Sequence, residues 1–444
     1  MSTSRFELSR LAIPAVSLLI SFLSYSSQYL FLSFPPEPLS SQETWKFNVL
    51  VACIWISYYR ACTVDPGRVP KDWKPASLSD VDNDATRKDV FARQRWCRKC
   101  EAFKPPRAHH CKKCARCIPK MDHHCPWTNN CVSHFTFPHF VRFLFYAVVS
   151  MIYLESFLWT RAAYLWENRS LPSYLGPSVF QLAHFFVLIL VNTFTLIALS
   201  LLLIRTLWSL GANVTTIESW EIERHRTLLR RARYFGGYLD GPDGLKVRIQ
   251  KQEFPYDIGI FKNIKAGMGG SSNILSWFWP FSATPDRSTG LDFEINEFAD
   301  PDLSWPPPDP DRIPRKPRIR DPESPFHVPH YDDPEKEIQA FRARQEADLQ
   351  RQRGGYFPGN AEMIQRRRKF HERFRDTTYV DDCAESEDAT DENKNIAFDE
   401  GEESWRNKDG ERLEDFGVDE VAEFYDDDDV PLAALMQRLK ERQE

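Results

Sequence analysis

Seven of the chain's ten cysteines fall between Cys97 and Cys131, at spacings suited to metal ligation. The run reads Cys97-x2-Cys100, then His110-Cys111-x2-Cys114-x2-Cys117, then Asp122-His123-His124-Cys125 and Cys131. Thiolates and imidazoles bind zinc tetrahedrally, and a Cys-x2-Cys pair puts two sulfurs on one tight turn. Two Cys3His sites would use six cysteines and two histidines, which leaves one thiol over. Cys125 is the candidate for that thiol. A zinc-bound thiolate is a damped nucleophile, whereas a free one beside an imidazole can be ionised near neutral pH and attack. With His123 two residues before it and Asp122 beside His123, the parts of a nucleophile, base and orienting acid are present. Local spacing leaves open whether His123 is the base or a ligand, with His124 taking the other part. Contacts among such close neighbours also imply a turn instead of a regular strand.

Something must hold these residues in place. Clustered cysteines at two-residue spacing point to metal sites in a reducing compartment more than to a disulfide scaffold. Lys104-Pro105-Pro106-Arg107 cannot be helical, which suits a loop folded around metal. Four apolar stretches flank the cluster, each offering about the 20 residues a bilayer-crossing helix needs, the fourth with length to spare. They are about Leu11–Phe34, Thr44–Cys62, Phe137–Trp159 and Val179–Leu207. Arg60, Arg68, Lys71, Lys74 and the basic cysteine region lie between the second and third. Arg224, Arg226, Arg230, Arg231 and Arg233 follow the fourth, while the loops at 35–43 and 160–178 offer only Arg161 and Arg169. The positive-inside rule then puts both termini and the cysteines in the cytosol. Arg142 and Glu155 are the notable intramembrane charges, and snorkelling to the interface accounts for both. So few charges offer no ion path, which argues against a transporter.

Charge divides the chain. Residues 1–300 carry a net +9 and residues 301–444 a net −15. The basic front suits an anionic lipid or ligand. From about residue 283, proline-rich stretches such as Trp305-Pro306-Pro307-Pro308 and charge runs such as Asp426–Asp429 favour a disordered, solvated tail, with short helices at about 334–352 and 431–443. Of the remaining cysteines, Cys53 reads as a small apolar residue, Cys62 as a juxtamembrane thiol open to acylation, and Cys383 has no evident partner.

The stretch Cys97–Phe140, with its four flanking spans, resembles the cysteine-rich domain of the DHHC protein S-acyltransferases. Asp65-Pro66-Gly67 after the second span, Thr215-Thr216-Ile217-Glu218 after the fourth, and Phe254-Pro255-Tyr256-Asp257 with Asn263 are similar to further family signatures. Ser133 and Thr136 depart from it, standing where many members have Gly and Asn. The resemblance covers about residues 8–282.

It implies an all-α integral membrane fold: a four-helix transmembrane bundle, a cytosolic zinc-bound cysteine-rich domain and a largely disordered acidic C-terminal tail. The implied divisions are 1–62, helices 1 and 2; 63–136, the cysteine-rich domain with its core at 97–131; 137–210, helices 3 and 4; 211–282, a cytosolic docking segment; and 283–444, the tail. It assigns one zinc to Cys97, Cys100, His110 and Cys117, and the other to Cys111, Cys114, His124 and Cys131. Cys125 becomes the acyl acceptor, activated by His123 and Asp122. The implied reaction is ping-pong transfer of a long-chain acyl group from acyl-CoA, such as palmitoyl-CoA, to cytosolic cysteines of membrane proteins. Because CoA is anionic, Arg95, Lys104 and Arg107 are the candidate phosphate contacts. Thr216 is grouped with them, its motif offering a hydroxyl to the Asp122 carboxylate. The closer likeness is to a fungal branch of the endoplasmic reticulum membrane whose cargo includes chitin synthase; the partners are then cargo, acyl-CoA and the bilayer, with no nucleic acid. A non-catalytic, membrane-anchored zinc-binding interaction module is the alternative.

Overall fold

The computed structural model describes residues 11–73, 96–170, 172, 176–241, 246–297, 305–307, 309–312 and 405–419, with short pieces between 338 and 346. The first apolar stretch is helical from α1 (Ala12–Ser21) through a π-helical turn (Phe22–Ser26) into α2 (Ser27–Phe31). The Ser26 and Ser27 hydroxyls donate to the carbonyls of Phe22 and Leu23, both at 2.6 Å, back-bonding of the kind that accompanies a distorted helical turn. Helix α3 (Ser41–Thr63) opens on a capping box between Ser40 and Glu43. Helix α4 (Phe137–Glu167) takes Pro138 in its first turn, where a missing N–H costs nothing. Helix α5 (Val179–Ala212) opens on a second box, Ser178 with Gln181, and stops at Asn213 in the left-handed conformation. Helix α6 (Thr216–Tyr234) follows at once.

Helices α4 and α5 are long and apolar enough to cross a membrane. On α5, Phe180, Phe186, Phe194, Ile197, Leu201 and Ile204 point outward and are more than half exposed. Such a surface is unfavourable in water and natural in lipid. Inside, Phe31, Phe34, Phe47, Leu154, Leu158, Phe185 and Leu188 form one apolar cluster of α1–α5. A second cluster joins Ile54 and Tyr58 of α3 to Phe140, Phe143, Leu144 and Leu203, and it contains Cys125.

The cysteine-rich region is three antiparallel hairpins: β1 (Trp96–Cys97) with β2 (Ala102–Phe103), β3 (His109–Cys111) with β4 (Arg116–Ile118), and β5 (His123–Cys125) with β6 (Asn130–Val132). After α6 come β7 (Tyr238–Asp240) and β8 (Lys246–Arg248), then α7 (Ile260–Gly267) and α8 (Ile274–Phe278). Residues 338–339, 341–343 and 345–346, in a unit of their own, are helical within the stretch expected at 334–352. Arg95, Cys383 and the helix expected at 431–443 lie outside the described residues.

Several expectations need correction. Glu155 does not snorkel: it accepts from Asn192 Nδ2 at 2.6 Å and Thr193 Oγ1 at 3.0 Å, bonding α4 to α5. Nor does Arg142, which is 2% exposed and donates to the carbonyls of Trp277 (2.8 Å) and Ser276 (3.2 Å), pinning α8 against α4. The region after residue 283 is not uniformly solvated either. Trp305 is buried and stacks edge-on with Phe254, and Leu413, Phe416 and Val418 are buried against the cysteine-rich region. Average composition hid these short apolar groups among charges.

Candidate active site

Three of the hairpins' turns are built alike. Cys97, Cys111 and Cys125 stand fourteen residues apart, and each is followed three residues later by Cys100, Cys114 or Thr128. The next residue in each turn, Glu101, Ala115 or Asn129, takes a positive φ of 51°, 51° or 48°. In each, the backbone N–H of the third residue after the cysteine donates to its sulfur. Geometry of this kind suits a zinc knuckle, and two of the turns complete one.

His110 Nδ1 lies 3.3, 3.3 and 3.8 Å from the sulfurs of Cys97, Cys100 and Cys117. His124 Nδ1 lies 3.5, 3.6 and 3.5 Å from those of Cys111, Cys114 and Cys131. Ligands on a zinc tetrahedron with bonds of about 2.3 Å to sulfur and 2.05 Å to nitrogen sit about 3.6 Å apart. Both clusters therefore fit the ion.

The third turn has Thr128 where the others have a second cysteine, so Cys125 is left outside both clusters. It is 5% exposed. Strand β5 sends alternate side chains to opposite faces. His123 and Cys125 share one face, while His124 turns to the metal cluster on the other. The turn expected from close spacing is thus unnecessary, because residues two apart in a strand already meet. Asp122 precedes the strand, and its Oδ2 accepts from His123 Nδ1 at 2.7 Å.

Burial pushes the Cys125 thiol up, but the hydrogen bond and charge of His123, with bonds from Thr128, outweigh it and hold the thiol below its ordinary value. Burial pulls His123 down, yet Asp122 and Cys125 together raise it to about 10. An imidazolium–thiolate pair flanked by a carboxylate is the species this arrangement favours near neutral pH. Sequence reasoning missed Thr128; the fourteen-residue spacing is the signal that would have found it. It also missed Tyr58, whose hydroxyl donates to the Trp127 carbonyl at 2.9 Å, and Asn130, which donates to Ala61 and Val64 carbonyls at 3.0 and 2.8 Å. These two tie the β5–β6 hairpin to the end of α3.

The start of α6 fixes Asp122. Thr215 caps the helix, with Glu218 closing the box. Thr216 donates its N–H to Asp122 Oδ1 at 2.9 Å, and its hydroxyl reaches the Asp122 carbonyl and, at 3.3 Å, Oδ2. A helix N-terminus thereby meets a carboxylate, the favourable sense of the helix dipole. A small cavity behind Asp122 is lined by Lys120, Ser133, Asn213 and Thr215. Burial, and then the Arg107 charge, lowers Lys120 to about 7.

Two of the expected phosphate contacts do not reach solvent. Arg107 is 7% exposed: its Nη2 donates to Glu218 Oε2 at 2.7 Å, its Nη1 to Asn213 Oδ1 at 3.2 Å, and its guanidinium lies 4.5 Å from the Tyr256 ring. Lys104 is 4% exposed, with its charge bearing on Cys97 and Cys117. Both charges are used internally, so a CoA role for them is withdrawn. The family-like signatures frame the site instead. Gly67 (φ 92°) has no room for a Cβ, which would stand 2.5 Å from Phe135. Asn263, fully buried, donates to the Gly211 carbonyl at 2.7 Å and docks α7 on α5. Ser133 and Thr136, the two departures, seal the turn into α4: Ser133 Oγ donates to the Pro66 carbonyl at 2.8 Å and Thr136 Oγ1 to that of Cys131 at 2.6 Å.

The DHHC palmitoyltransferase family model matches residues 90–223. The palmitoyltransferase pfa4 of Aspergillus fumigatus is 58% identical over 98% of this chain and 99% of its own length. The chain belongs to the DHHC palmitoyltransferase family. The pfa4 palmitoyltransferase of Emericella nidulans is likewise 58% identical, over 100% of this chain and 99% of its own. That of Gibberella zeae is 41% identical over 97% and 95%. Membership makes this a membrane protein and a protein S-palmitoyltransferase, with a cysteine-rich domain whose two Cys/His clusters could hold zinc.

Proposed function

We propose that the chain moves a long-chain acyl group from acyl-CoA to cytosolic cysteines of membrane-associated proteins through an acyl-Cys125 intermediate. The observation that carries this is the position of Cys125: outside both metal clusters, paired with His123, and packed into the apolar cluster of α3, α4 and α5. The Cys125 thiolate attacks the thioester carbonyl, and the CoA thiolate leaves with the proton that His123 holds. His123 then takes the proton of the incoming cargo thiol, which attacks the acyl-Cys125 carbonyl and releases the Cys125 thiolate. Asp122 keeps the His123 ring oriented, and Thr216 keeps Asp122 in place. Each added CH2 of the chain gains about 0.8 kcal/mol by leaving water, so a palmitoyl tail belongs among the helices while its thioester reaches Cys125.

Two zinc ions, one in each Cys3His cluster, would supply folding energy to a region with little core of its own. Helices α1–α2 and α3 complete a four-span bundle with α4 and α5, both termini facing the cytosol. The expected home is the endoplasmic reticulum membrane, with chitin synthase among the candidate cargo; this rests on the family likeness. The tail beyond residue 283 is read as solvated where it is not docked.

Purified protein incubated with labelled palmitoyl-CoA should form a hydroxylamine-sensitive adduct, and Cys125→Ser should lose it while keeping two zinc ions. Equal labelling of that variant would sink the proposal and leave the non-catalytic module standing.

A further inference from the structure

Residues 405–419 lie in an acidic tail, yet they follow a defined path over the cysteine-rich region. Leu413, Phe416 and Val418 are 1%, 6% and 1% exposed, packed among Cys111, Ile118, Met121, Cys131, Ile217 and Trp220. The backbone adds itself to β3: Cys111 and Val418 form an antiparallel bridge, Lys112 N–H donates to the Gly417 carbonyl at 3.0 Å, and Asp419 N–H to that of His110 at 2.9 Å. This is strand addition by the chain to its own exposed edge. Gly417 has φ 81°, and a Cβ there would stand 2.7 Å from the His124 Cβ. Both the conformation and the close approach demand glycine. Further along, Trp405 meets Trp220 edge-to-face at 4.8 Å, Trp220 Nε1 donates to the Glu411 carbonyl at 3.3 Å, and Lys408 N–H to Glu223 at 2.8 Å. Lys99 pairs with Asp419, which is 4% exposed.

One strap thus touches three elements: β3 and β5, which carry Cys111 and His124, and α6, which presents Thr216 to Asp122. We infer that residues 405–419 are a clamp integral to the catalytic unit, closing the second metal cluster against water and competing ligands and bracing β5 from the face opposite Cys125. At the first cluster, the clamp's end makes the Lys99–Asp419 and Asp419–His110 contacts. Its metal should therefore depend on the clamp far less. This inference rests on the zinc reading above.

The test uses the full-length protein purified in detergent, with zinc release to a chromogenic chelator followed over time. In wild type, two zinc ions should leave slowly, and residues 405–419 should resist protease. In Leu413→Asp/Phe416→Asp, one equivalent should leave about tenfold faster, the other at the wild-type rate, and the tail should be cut. The slow equivalent also reports that the variant is folded. Gly417→Val should do the same by steric exclusion. Asp419→Lys should speed release more mildly, with the swap Lys99→Glu/Asp419→Lys recovering part of the loss. Release at the wild-type rate in both the double variant and Gly417→Val overturns the clamp, as does a wild-type tail cut within 405–419 as readily as in the variants. A wild-type protein holding no zinc instead overturns the metal reading, and the zinc role of the clamp with it.

Discussion

The β3–β4 and β5–β6 hairpins start from the same turn and end in different chemistry. In one, Cys111 and Cys114 join His124 and Cys131 in a metal cluster; in the other, Thr128 replaces the second cysteine and Cys125 stays free. The turn's N–H bond to sulfur is common to both. In the proposed mechanism, a single residue type at the fourth position of the turn therefore decides whether the thiolate is a fold ligand or a nucleophile. What the free thiol loses in metal charge it recovers from His123, which the alternation of β5 places beside it.

The sharpest break of that comparison is to remove a sulfur from each hairpin. Cys111→Ala should lose a zinc ion, expression and all acyl transfer, because a ligand of the fold is gone. Cys125→Ser, by contrast, should lose transfer alone. Metal content by atomic absorption and solubility after extraction separate the two. If Cys111→Ala stays folded with both metals, the ligand assignment fails.

Next comes the partner that substitutes for metal. His123→Ala should slow autoacylation by about 10²–10⁴-fold. It should also change the pH profile. With the thiol held low, the reactive thiolate is present above its folded pKa and lost as pH falls through it, so the acid limb of iodoacetamide alkylation lies below that of an ordinary thiol. The imidazolium persists until about pH 10. Without His123 the burial penalty is opposed by the Thr128 bonds alone, and the limb should move to higher pH. An unmoved limb would mean that His123 does not set the state of the thiol.

Thr128→Val should have the smallest effect, a few-fold slowing with a slight upward move of the same limb, since it removes one hydroxyl bond and keeps the turn's N–H. Thr128→Cys sharpens the point differently. It restores the two-cysteine turn, and excess zinc should inhibit this variant more than wild type in the same assay.

The ligand spacing and the odd thiol were legible because metal sites are local: most of the eight ligands lie within a few residues of another. The choice between His123 and His124 needed the family likeness, and the structure gives its physical reason in the period of a strand. Arg107 and Lys104 were misread because charge alone does not say where it is spent. Glu218, the partner of Arg107, lies 111 positions away in sequence. Composition failed for 405–419 in a similar way, since three apolar side chains among acids are diluted in any window yet suffice once an edge strand awaits them. Replacing Glu218 by Gln tests that hidden pair: it leaves the buried guanidinium uncompensated and should cost about 3–5 kcal/mol in denaturant unfolding.

The near-complete enclosure of Cys125 bears on time as well as on chemistry. In the proposed mechanism, a thioester formed there would lie among Tyr58, Phe140 and Leu144, apolar neighbours that shelter its carbonyl from bulk water. Hydrolysis of that intermediate should then be slow, and the loaded protein would be a store with a long lifetime. Its discharge would then be timed by the arrival of cargo.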